Sequence, residues 1–148
     1  MHAFAMDVYA PEQAQLAAPI RLLTLKSIEL LRAAPPGVEG HQWNRPLLSQ
    51  ALTGTPQIVA DFITLPPGFV HRMHRHPNAD QLMLPLRGRL LVRDETGADQ
   101  EVTVGQLLVI PRWHWHEPRN VTGEDCRIFN AFSGVGDADD IGFERRPR

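Results

Sequence analysis

Between residues 57 and 132 the chain is punctuated at nearly even intervals, and no other feature limits its fold so strongly. QIVADFITL (57–65) runs into Pro66-Pro67-Gly68, DQLMLPL (80–86) into Arg87-Gly88, and RLLVRD (89–94) into Glu95-Thr96-Gly97. QLLVIP (106–111) and CRIFNAF (126–132) follow. Runs this short carry no sustained helical period, and Gly or Pro closes most of them. Many short β-rich segments separated by turn residues must bury their apolar faces against one another, which predicts an all-β sandwich or barrel. Residues 20–133 are assigned to that single domain, residues 1–19 to an arm that orders against a partner subunit, and residues 134–148 to a polar tail that frays. IRLLTLKSIELLR (20–32) fits a strand or a short helix. AAPPGVEGHQWNRP (33–46) reads as a Pro/Gly-rich connection.

Composition bounds the function classes. A chain of 148 residues that is 43% hydrophobic can bury one core. A formal net charge of -2 gives no bulk electrostatic case for nucleic acid or for an anionic membrane. Cys126 is the only cysteine, so no internal disulfide forms, which fits a reducing compartment. No run approaches a transmembrane length, and MHAFAMDVYAPEQ meets Asp7 and Pro11 before an apolar signal could form. The expectation is a cytoplasmic protein.

The stretch GFVHRMHRHPNADQLMLPLRG (68–88) carries the chemistry. His74 and His76 are two residues apart, and on a strand such residues share a face, so their imidazoles can converge on one ion. RWHWHEPRN (112–120) repeats the spacing with His114 and His116. A neighbouring strand that brings His116 across completes a set of three. Neutral imidazoles suit Zn, Fe, Ni or Cu. Each pair taken alone also fits surface histidines or histidines satisfied by hydrogen bonds.

The two stretches resemble the paired motifs of the cupin superfamily. Gly68, His74, His76, Gln81 and Gly88 stand at the first motif's positions, with Gln81 in the place of a Glu. Gly105, Pro111, Trp113, His116 and Asn120 stand at the second motif's positions, with Trp113 in the place of a Gly. The resemblance implies a small jelly-roll barrel, a double-stranded β-helix, that holds one divalent metal on His74, His76, Gln81 and His116. It also implies homodimers. Gln81 is a neutral, weaker ligand than Glu and leaves the metal charge uncompensated, which favours an anionic group at the open positions. Asp80 is the alternative acid, but strand alternation sends it outward if Gln81 points in. Trp113 takes the positive φ of a turn glycine only at a cost, so the turn is expected to be of another type. His114 is either a rim residue or a further ligand.

Around the ion, Arg72 and Met83 share the inward parity of the ligands, and His114 and Phe129 are further substrate-wall candidates. Arg72 would clamp a carboxylate. His71, at odd spacing from His74, is expected on the surface. Pro85 cannot donate to a ladder, so its strand should lie at an edge or carry a bulge. The resemblance admits dioxygenase, decarboxylase and isomerase chemistry on a small molecule, with dioxygenase first. A non-catalytic ligand-sensing module and a metal-free sugar epimerase-like protein are the alternatives.

Overall fold

Along Asp80–Arg87 the side chains of Gln81, Met83 and Pro85 are buried while Asp80, Leu82 and Leu84 are not. That period of two is the expected signature of a strand with one face on a core. A computed structural model describes residues 19–147. In chain order its strands are β1 (Leu31–Ala33), β2 (Val38–Glu39), β3 (Gln42–Leu48), β4 (Ile58–Leu65), β5 (Val70–His71), β6 (His74–Arg75), β7 (Asp80–Arg87), β8 (Arg89–Asp94), β9 (Asp99–Thr103), β10 (Leu108–Ile110), β11 (His116–Arg119), β12 (Cys126–Ser133) and β13 (Glu144–Arg145). The one α-helix among the described residues, α1 (Gln50–Thr53), is capped by the Ser49 hydroxyl, which accepts from the Leu52 N–H.

The strands form two antiparallel sheets. One has the order β1-β3-β4-β12-β7-β10. In the other, β13-β6-β11-β5-β2 run in order, β8 pairs with both β11 and β9, and β11 lies at its centre. The chain changes sheet at Gly88, between β7 and β8. Its φ is +75°, and a Cβ there would lie 2.9 Å from the Asp125 carbonyl oxygen, so only glycine fits this corner. The inward faces meet in an apolar cluster that includes Ile63, Leu65, Phe69, Met83, Leu90 and Ile128. This is the expected all-β jelly-roll barrel.

The chain departs from expectation in two places and decides two readings that the sequence leaves open. Residues 33–46 are not merely a connection: β2 lies within them and β3 begins there. The polar Gln42 and Asn44 hid β3 because they face the interior, and Pro46 is accommodated at a register shift between Pro46 and Leu48. Residues 20–32 hold a short 3-10 turn at Leu25–Ser27 and the start of β1. Of the edge or bulge that Pro85 calls for, the structure has the bulge, since β7 lies between β12 and β10. Pro85 is tolerated beside it: Ile128 pairs with Pro85 and Arg127 with Arg87, so Leu86 is skipped. Finally, residues 134–147 do not form a loose tail, because β13 pairs with β6 and the segment before it closes over the histidines. The N-terminal arm falls on residues 1–18, outside the described residues, apart from Pro19.

Candidate metal centre

β6 and β11 are antiparallel neighbours, and His74 stands directly opposite His116. Their ring centroids are 4.3 Å apart, and His76 lies 5.0 Å from His74 and 5.4 Å from His116. Each ring offers a nitrogen within 4.8 Å of the other two. All three are buried, at 1%, 8% and 3% exposure for His74, His76 and His116, so desolvation works against the imidazolium form. Burial pushes the His116 pKa down to about 4 and lowers His76; His74, also crowded by His71 and His116, is lowered far further. The imidazoles are therefore neutral at pH 7, the state in which they bind metals.

Their tautomers follow from the backbone. Nδ1 of His74 lies 2.7 Å from the Arg72 carbonyl, Nδ1 of His76 2.8 Å from the Gly142 carbonyl, and Nδ1 of His116 3.0 Å from the His114 carbonyl. A carbonyl oxygen only accepts, so each Nδ1 carries the proton and each Nε2 presents a lone pair. Nε2 of His116 is buried without a partner, and so is Oε1 of Gln81. Orphaned buried acceptors cost about 1–3 kcal/mol each, which a cation at this position would offset. The residues present therefore fit a divalent transition metal, held by His74, His76 and His116, and Gln81 lines the same cleft as His74 and His76, with its oxygen buried and unpartnered.

Gln81 points inward from β7 at 6% exposure, and Asp80 points out, where its carboxylate accepts from the backbone N–H and the guanidinium of Arg112. Gln81 Nε2 donates to Asn130 Oδ1 at 2.8 Å, and Asn130 Nδ2 donates to Asp61 Oδ1 at 3.2 Å. The other Asp61 oxygen accepts from Asn44 Nδ2 at 2.7 Å, and Asn44 Oδ1 accepts from Gln42 Nε2 at 2.7 Å. A row of amides around one half-buried carboxylate thus lines the cavity wall. Desolvation raises the Asp61 pKa to about 6, against the bonds from Asn130 and Asn44. The sequence reading passed over this row. Its signal was present: Asp61 shares the parity of Ile63 and Leu65, and Asn130 that of Cys126 and Ile128, so each is a polar residue on a core face.

The cavity is an open cleft of about 1080 Å³. Met83 lines it. Arg72 does not: its guanidinium is exposed and bonded to Glu39 at 2.7 Å. His71, expected on the surface, lines the cavity instead and stacks on His74 at 3.8 Å. One cause explains both corrections. β5 ends at His71 and β6 starts at His74, so the break at Arg72 and Met73 resets the alternation. Phe129 faces away from the cavity and packs edge-on against Phe62; Phe132 and Phe143 form the apolar wall, and Phe143 stacks on His74. The His114 side chain is exposed and bonded to Glu95, and only its carbonyl serves the site.

The turn before His116 also differs from expectation. Trp113 itself adopts the positive φ, 74°, rather than a different turn type. Its N–H donates to the His76 carbonyl at 3.0 Å, and the Arg75 guanidinium lies 4.9 Å from its ring and 4.4 Å from that of Trp115. Asn120 holds the end of β11: its amide donates to the carbonyls of Leu65 and Glu124.

Comparison with known proteins places this geometry. No curated protein matches the sequence. Among solved structures, a predicted oxalate decarboxylase from Thermotoga maritima aligns with a TM-score of 0.69 at 19% identity, over 78% of this chain and 100% of that one. The polyketide cyclase RemF from Streptomyces resistomycificus aligns at 0.68 and 18% identity, over 82% and 89% of the two chains. A sugar phosphate isomerase of the cupin superfamily from Silicibacter pomeroyi aligns at 0.65 and 19% identity, over 85% and 93%. At these identities the likeness establishes the fold. The profile of the cupin domain matches residues 61–132, from within β4 through both histidine strands into β12, and over this span the chain carries a cupin domain.

Proposed function

We propose that this protein is a mononuclear metal-dependent enzyme of the cytoplasm, with dioxygenase-like chemistry on a small anionic or enolic molecule. The observation that carries the reading is the convergence of three neutral imidazoles on one point, two of them, His74 and His76, in the wall of an open, largely apolar cleft. Bound there, Zn, Fe, Ni or Cu supplies Lewis acidity, and the redox-active ions among them also supply chemistry toward O₂. The chain's own residues do the rest. The backbone carbonyls hold the Nδ1 protons and aim the three Nε2 atoms inward. His71 and Phe143 stack on His74 and restrain its ring. Phe132 and Phe143 give the cleft apolar wall beside the histidines. A set of neutral ligands leaves positive charge to be matched by the substrate, which favours a carboxylate or enolate. Oxalate, a sugar phosphate and a polyketide, the molecules in the names of the structural neighbours, are likewise small and oxygen-rich. We further propose that two copies of the chain pair in solution; a single-chain mass in sedimentation would remove that part.

The test is elemental analysis of untagged protein purified without chelators, beside His76→Ala and His116→Ala. The expected result is about one transition metal per chain in the parent and none in either variant. Oxygen-uptake assays with enolic and diketone substrates then address the chemistry. Metal without turnover of any such substrate would favour a binding module, and no metal after reconstitution would sink the reading.

A further inference from the structure

Four amides and one acid hang together on the cavity wall, and their hydrogen bonds have a direction. An ionised carboxylate has no proton to donate, so Asp61 can only accept. It accepts from Asn130 Nδ2 on one oxygen and from Asn44 Nδ2 on the other. Asn130 stands directly opposite Asp61 across the β4–β12 ladder, so this contact is built into the register. Once the Asn130 NH₂ faces Asp61, its Oδ1 must face the other way, toward Gln81. Gln81 can meet that oxygen only with its own NH₂. Its carbonyl oxygen is then left for the interior, where it has no partner in the protein. Turned over, Gln81 would offer the cage an N–H group, which cannot bind a cation.

We propose that Asp61 is a positioning residue for the metal centre: through Asn130 it sets the polarity of Gln81, so that a neutral amide can stand as a ligand where it would otherwise be free to flip. This role rests on the metal-binding reading above. A Glu at position 81 would present oxygen whichever way it turned. A Gln needs an orienting partner, and the half-buried acid on β4 answers that need.

The proposal is tested by titrating the apo protein with Co²⁺ at pH 8, following the visible spectrum, in four forms: the parent, Asp61→Leu, Gln81→Glu and the double variant. Loss of an outer partner of a ligand typically lowers metal affinity about tenfold to hundredfold. Asp61→Leu is expected to weaken Co²⁺ by that factor in the Gln81 protein and to have little effect in the Gln81→Glu protein. Asp61→Asn combined with Asn130→Asp keeps an acceptor facing Gln81 and is expected to restore affinity. Equal affinity of the parent and Asp61→Leu would overturn the proposal while leaving the metal site standing. An equal loss in both backgrounds would also overturn it, since it would mark Asp61 as part of the general packing. No Co²⁺ binding by the parent would overturn the metal reading itself, and this role with it.

Discussion

Trp113 shows what a single residue is asked to do here. A tryptophan at a φ of 74° sits in the left-handed region, which costs a non-glycine residue about 1–2 kcal/mol. Its ring returns part of that through Arg75, a contact worth about 0.5–1 kcal/mol at an exposed position. Trp113→Gly relieves the backbone and loses the ring, so its stability should lie within about 0.5 kcal/mol of the parent. Trp113→Ala keeps the strain and loses the ring, and should fall about 1 kcal/mol below the glycine variant in urea unfolding. An alanine variant as stable as the glycine one would show that the turn is not strained. Gln81→Glu adds a negative charge beside the histidines. It should retain metal and shift the preference toward Mn or Fe, read as competition against Zn. Unchanged selectivity would take Gln81 out of the ligand set.

At the scale of elements, the segment between the 3-10 turn Ala138–Asp140 and β13 matters because it carries an acceptor for His76. Gly142 has a φ of +76°, and a Cβ there would lie 2.8 Å from Pro77 Cδ, on the residue next to His76. Gly142→Ala should therefore cost about 2 kcal/mol and shift the carbonyl that orients His76, weakening metal affinity. Gly97→Ala is the control: its φ is +87°, but its Cβ meets nothing within 4 Å. It should cost about 1 kcal/mol and leave metal affinity unchanged. If the two variants bound metal alike, the closing segment would have no part in the site. This segment was read in sequence as a polar tail because Asp137, Asp139 and Asp140 dominate it. Its structural role comes from a two-residue pairing with β6 and from Ile141 and Phe143, which is too little for periodicity to register.

For the whole molecule, the cavity sets two opposed pH slopes in the metal-free protein. Burial pushes His116 and His71 down to about 4, so the folded chain refuses protons that the unfolded chain takes near 6.5. Their contribution is complete above about pH 6.5 and is lost as pH falls toward 4. Asp61 works the other way. Its carboxyl, raised from 3.8 to about 6, keeps its proton longer when folded, so its contribution is present at low pH and lost as pH rises through 6. Asp61→Asn should therefore gain stability on the parent between pH 4 and pH 7. The gain should be roughly 1–2 kcal/mol, since the carboxyl keeps partial contact with solvent through the cleft. Unfolding midpoints that moved in parallel over that range would contradict the assignment. A half-buried acid kept at such a cost fits a wall that serves a site rather than a core.

The sequence by itself determined the all-β class, the strands from β4 to β12 that carry apolar runs, and the three histidines that meet. These are local matters: residue period, turn residues, and i, i+2 spacing on a strand. Only the tertiary structure decided which side chains face the cavity. His71 entered the cavity and Arg72 left it because the chain breaks between β5 and β6, and no spacing rule survives a break. Asp61, Asn130 and Asn44 became one hydrogen-bonded row because β3, β4 and β12 are neighbours in a sheet, although the residues stand far apart in the chain. A ligand's spacing can be read from a strand, but its polarity depends on partners supplied by other strands.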